Sequence, residues 1–103
     1  MNNLTTLKTE GDGALHLAGS LDVYGAESLR QALTEHLASV PDPVVDLVAV
    51  EACDTAGAQL LLSVRQTAAQ VGKTVRFEHV SPAVADCFAC LGLPADLLTR
   101  PSA

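Results

Sequence analysis

Asp54-Thr55-Ala56-Gly57 is the stretch of this chain whose residue types and position could do chemistry. Ahead of it, Val44-Val45-Asp46-Leu47 reads as a short buried strand, and from Thr55 onward the apolar residues take helical spacing. Leu60, Leu61, Val64, Ala68 and Val71 fall on one side of that helix, while Gln59, Ser63, Gln66 and Gln70 recur at i, i+4, i+7 and i+11 on another. Asp54 and Thr55 therefore stand where a strand hands over to a helix, beside unpaired N–H groups and the positive end of the helix dipole. Capping is the ordinary use of Asp or Thr there. The Thr55 hydroxyl, followed by the small Ala56-Gly57-Ala58, is also open to phosphorylation. A phosphate on it would meet N–H donors but also sit against Asp54, adding about −1.5 to −2 of charge, enough to turn away a partner without unfolding the domain.

Other reactive residues form weaker patterns. Cys87-Phe88-Ala89-Cys90 has Cys-x-x-Cys spacing, but a redox pair ordinarily places its first Cys at a helix N-terminus, and Ser81-Pro82 starts this helix well upstream. Small buried residues on a core-facing helix account for the two cysteines, with a redox module as a third functional reading. A zinc site needs two further ligands, and neither Cys53 nor His16, His36 or His79 supplies a second paired spacing. Asp46, in an otherwise apolar strand, either faces solvent or nears the strand end by Asp54, where the two acids would make a pocket for a cation. No Walker loop, Gly-x-Gly-x-x-Gly, His-Glu-x-x-His or Gly-x-Ser-x-Gly element is present, so the expectation is a binding protein with no catalytic residues, metal or cofactor.

The elements that must hold this corner follow from periodicity. Leu4 to Glu10 and Ala14 to Ala18 alternate around the turn Gly11-Asp12-Gly13, which predicts a hairpin with Leu15 and Leu17 inward and His16 outward. Gly19-Ser20-Leu21-Asp22 breaks it, and Val23-Tyr24 reads as a short extended piece. A helix is expected over about 26–39, with Ala26, Leu29, Leu33 and Leu37 inward and His36 peripheral. Pro41-Asp42-Pro43 ends it. The second helix should stop at Val71-Gly72, Val75 to Glu78 alternates as a strand, and Ser81-Pro82 opens a third helix carrying Val84, Cys87, Phe88 and Leu91 inward. Leu97-Leu98 is either a last edge strand or a packed extension.

Composition bounds the rest. The 103 residues suit one domain over 1–103, and with 49% apolar residues but only two phenylalanines and one tyrosine the core must be built from Leu, Val and Ala. A net charge of −6 argues against nucleic acid and against anionic lipid. The opening residues form no signal peptide, no apolar run reaches the roughly 20 residues that span a bilayer, and the odd cysteine count fits a reducing compartment. The expectation is a cytoplasmic protein with no direct membrane insertion.

Taken together, Asp54-Thr55-Ala56-Gly57, the upstream Gly19-Ser20-Leu21-Asp22 and the downstream Gly72-Lys73 resemble, in order and over nearly the whole chain, the motifs of the STAS domain family (sulfate transporter and anti-sigma factor antagonist). The resemblance implies an α/β STAS-like sandwich: a mixed four- to five-stranded sheet with helices mainly on one face. It implies a regulatory protein similar to an anti-sigma factor antagonist, switched at Thr55 by an anti-sigma factor or another serine/threonine protein kinase. Asp22 would lie close to the switch, although as a turn residue it could equally bond its own backbone. The docking surface would comprise Asp22, Asp54, Thr55, Ala58, Gln59, Leu62 and Gln66. The same motif also resembles the small STAS subunit of lipid-transport ABC complexes, so the second reading is a constitutive adaptor on an ABC transporter ATPase or in a chemotaxis-like complex, with Thr55 a contact rather than a switch.

Overall fold

The computed structural model describes residues 5–7, 14–94 and 96–99. The expected turn at Gly11-Asp12-Gly13 lies outside them. Strands β1 (Thr5–Leu7) and β2 (Ala14–Leu21) pair antiparallel; β2 then pairs parallel with β3 (Val44–Cys53), and β3 parallel with β4 (Arg76–Glu78). The sheet order is β1-β2-β3-β4. Helix α1 (Ala26–Ser39) joins β2 to β3, α2 (Thr55–Gln70) joins β3 to β4, and α3 (Pro82–Cys90) follows β4. The sheet is mixed, and of the expected four to five strands the described residues form four, three of them parallel. Its parallel body is three strands, β1 adds three residues at one edge, and the fifth candidate at Leu97-Leu98 is a 3-10 turn, Leu97–Thr99, with Leu98 packed in the core.

Parallel strands linked through helices take right-handed crossovers, so two successive crossovers advancing the same way across a sheet cover the same face. The core agrees: Leu15, Leu17 and Leu21 of β2, Val45, Leu47 and Val50 of β3 and Phe77 of β4 form one cluster with Leu29, Leu33, Leu61, Val64, Val84 and Phe88 of the helices. The inward stripe of α2 is shorter than its spacing predicts, because Val71 lies beyond the helix and is exposed.

β3 runs six residues past the expected Leu47. Its register with β2 shifts twice, between the pairs His16↔Asp46 and Ala18↔Ala49 and again between Gly19↔Val50 and Ser20↔Ala52, each time with an extra residue on β3. Two such bulges turn the period of two into a period of three, so that Leu47, Val50 and Cys53 turn inward while the pairs between them are exposed. Gly19, at the second shift, has φ +94°, a conformation that a side chain would strain. The lengthened strand carries the Asp54-Thr55 corner up beside the end of β2.

One residue of α1 departs from expectation. His36 is buried, not peripheral, and its Nε2 donates to the Val44 carbonyl at 3.1 Å. Burial pushes its pKa below the usual histidine value, against the opposing effect of that bond. The Lys73 ammonium donates to the carbonyls of Leu37 and Val40 at the end of α1, where a cation also complements the helix dipole.

Candidate functional site

The corner is assembled from the C-terminal ends of β2 and β3. The Asp54 N–H donates to the Leu21 carbonyl at 3.0 Å, joining the two strand ends. Asp54 is the N-cap of α2: Oδ1 accepts from the Gly57 N–H at 3.0 Å, and Oδ2 accepts from the Val23 N–H at 3.3 Å. Thr55 is the first residue of the helix and is exposed. Gly57 is required by a close approach, since a Cβ there would lie 2.4 Å from the Leu21 carbonyl oxygen. The small residues after Thr55 therefore let the helix start press against β2.

Asp22 bonds its own backbone. Its Oδ1 accepts from the Tyr24 and Gly25 N–H groups at 3.1 and 3.2 Å. Residues 22–25 form a turn rather than the extended piece expected at Val23-Tyr24, and this turn reaches Thr55 through the Val23–Asp54 bond. Of the remaining residues expected on the docking surface, Gln59 and Gln66 are exposed and Leu62 is half-buried. Ala58 is fully buried, so it supports the helix from inside and contributes no surface. Its place one residue past Gly57 puts it on the same inward side of the first turn.

Two residues escaped the sequence reading. Val23 and Tyr24 are 60% and 76% exposed, large apolar side chains held beside the Asp54–Thr55 corner. Their adjacency in a loop gives no periodicity to read; only the bond to Asp54 brings them to the site. A surface cavity of about 330 Å³ along β4, lined by Thr74, Arg76, Phe77 and Leu98, includes none of these residues. Thr55, Val23 and Tyr24 together present an exposed surface at this corner.

Asp46 does not join Asp54. It pairs in register with His16 and Glu78, while Asp54 follows the far end of β3, about 25 Å along an extended chain. The Asp46 Oδ2 instead meets His79 Nδ1 at 2.8 Å and His16 Nδ1 at 3.8 Å, and Oδ1 accepts from the Val48 N–H at 2.9 Å. Burial pushes the Asp46 carboxyl up, but the Val48 N–H and the two histidines outweigh it and hold it below its ordinary value. The bond and charge of Asp46 raise His79, which has the left-handed φ of 54°. Among the described residues no group of three His, Cys, Asp or Glu side chains is arranged to hold a metal.

The cysteines also separate. Cys87 is half-buried, but Cys90 is exposed rather than packed in the core, and Cys53 at the end of β3 is half-buried. Burial first, then the charge and hydrogen bond of Cys87 and the charge of Asp54, push the Cys53 thiol up to about 12.

With this geometry in view, the comparisons identify the class. The chain belongs to the STAS domain family described as "Mlab, STAS domain", which matches residues 4–99. A solved anti-sigma factor antagonist from Mycobacterium paratuberculosis is 29% identical, with 86% of this chain and 78% of that one covered and a TM-score of 0.67. A variant of RsbS from Moorella thermoacetica is 20% identical over 95% of this chain and 85% of that one, with a TM-score of 0.64, and shares the fold. Among curated proteins none matches. No helix among the described residues is long and apolar enough to cross a membrane.

Proposed function

We propose that this protein is a non-enzymatic regulatory module similar to an anti-sigma factor antagonist. It binds a partner through the Thr55 corner and is released when an anti-sigma factor or another serine/threonine protein kinase phosphorylates Thr55. The observation that carries this reading is exposed Thr55 at the first position of α2, near exposed Val23, Tyr24 and Gln59. Two exposed apolar side chains, Val23 and Tyr24, near one phosphorylatable residue suit a docking surface that a phosphate would spoil, because the added charge would have to be desolvated against the partner. A hundredfold loss of affinity needs only about 2.7 kcal/mol. The solved antagonist that this chain resembles supports the regulatory class.

Asp54 favours a second reading. Its carboxylate is fixed one residue before Thr55 and opposes a phosphate there, which suits a constitutive adaptor on an ABC transporter ATPase or in a chemotaxis-like complex. Incubation with the anti-sigma factor kinase of the same organism and ATP, followed by mass spectrometry, separates the two. The switch reading expects phosphate on Thr55, partner capture by Thr55→Ala and none by Thr55→Glu. Equal capture by both variants with no phosphate leaves the adaptor.

A further inference from the structure

β4 stands at an edge of the sheet, and its open side borders a cavity. The Arg76 N–H donates to the Pro43 carbonyl at 3.0 Å, so Arg76 turns its backbone groups toward β3. Successive residues of a parallel strand turn them to opposite sides, and Phe77 therefore aims its N–H and C=O away from β3. The cavity of about 330 Å³ lies along β4, beside the 3-10 turn. That turn does not satisfy Phe77, because its Leu97 and Thr99 N–H groups donate to the Pro94 and Asp96 carbonyls. Phe77 is buried, and a buried backbone group costs free energy until something hydrogen-bonds it.

Arg76 adds charge at the same place. It lines this cavity together with Glu78, and a neighbouring one of about 330 Å³ together with Asp42. Yet among the described residues Arg76 is in no ion pair with either. In a chain with 12 Asp and Glu against 6 Lys and Arg, such a guanidinium is conspicuous. Phe77 and Leu98, both buried in the core, give the cavity an apolar floor.

We propose that this edge binds a small monocarboxylic acid with an apolar body. The carboxylate would accept from the Arg76 guanidinium, whose planar fork matches it, and from the Phe77 N–H. The hydrocarbon would lie over Phe77 and Leu98. Glu78 and Asp42 oppose a second negative charge, which sets the limit at one. A volume near the lower end of ligand sites, about 300 Å³, sets the size. An N-acyl amino acid uses the edge most fully: its amide N–H donates to the Phe77 C=O while its carboxylate accepts from the Phe77 N–H, as two residues of an antiparallel pair exchange both bonds. β4 pairs with Val44 to Asp46, whereas Thr55 follows the far end of β3, so this site stands independently of the reading proposed above.

The test titrates the full chain, labelled with nitrogen-15, with N-acetyl-L-leucine and separately with its neutral amide. The acid should shift the Phe77 amide resonance saturably, with half-saturation below about 10 mM. The neutral amide should bind at least tenfold more weakly, and Arg76→Gln, folded by circular dichroism, should lose at least tenfold for the acid. Raising salt from about 0.05 to 0.5 M, which leaves the sequence untouched, should weaken the acid several-fold and spare the amide. The proposal is overturned if Phe77 shows no saturable shift up to about 10 mM, if acid and amide bind alike at both salt concentrations, or if Arg76→Gln binds as well as the unaltered chain. A shift confined to Thr55 and its neighbours overturns it too, since the acid would then sit at the other end of β3.

Discussion

The Asp54 carboxylate accepts the Val23 N–H at 3.3 Å, which ties the loop after β2 to the helix that follows β3. The same carboxylate caps α2 through Gly57. Asp54→Ala removes both bonds and should destabilise the protein by roughly 0.5–2 kcal/mol, the usual range for a lost N-cap. Asp54→Asn, with a good capping oxygen, should recover most of that loss. Urea denaturation of the three proteins decides it, and equal stability of all three would show that the cap contributes nothing.

Gly57→Ala tests the close approach. The added methyl would sit 2.4 Å from the Leu21 carbonyl, so either α2 or β2 must move. Overpacking of this kind costs about 1–3 kcal/mol. A thermal midpoint equal to that of the unaltered protein would refute the jammed corner, whereas the reverse change at exposed Ala69, Ala69→Gly, should cost only about 1 kcal/mol through helix propensity.

Tyr24→Ser should barely alter stability, because the side chain is 76% exposed, and surface changes stay within about 0.5 kcal/mol. It should weaken partner capture at least tenfold, about 1.4 kcal/mol. Titration calorimetry against the captured partner reads the second effect, and unchanged affinity would remove the loop from the docking surface.

Stability should depend on pH through three groups with different signs. His79 is raised by Asp46, so its contribution is fully present below the unfolded histidine pKa of 6.5 and fades as pH rises through the folded value. His36 is lowered by burial, so its contribution is present above 6.5 and fades as pH falls through its folded value. Asp46 is also lowered, and its contribution, present above 3.8, is lost as pH falls through its folded value. Urea midpoints from pH 4 to 8 should show His79→Ala removing the loss on the alkaline side. A profile unchanged by that substitution would show that the His79–Asp46 contact is not linked to folding.

Much of this arrangement could be read from residue types alone, and the reasons for the exceptions are physical. α1 occupies the expected 26–39 because its apolar spacing runs up to Pro41-Asp42-Pro43, and α2 starts at Thr55 because its spacing agrees with the Asp54 cap. β3 was expected to stop at Leu47 because its two bulges erase the alternation that marks a strand. Asp46 and His36 could not be placed because their partners, His79 and the Val44 carbonyl, lie on other elements. The Asp54-Thr55 corner was legible through its capping chemistry; its neighbours Val23 and Tyr24 were not, since a loop has no period.

β4, at the edge of the sheet beyond β3, is only three residues long and is contacted by the 3-10 turn Leu97–Thr99. A long bare margin on a sheet invites another chain to add its own strand, and a very short one does not. Crowding many copies together should therefore not zip them into fibrils through this border.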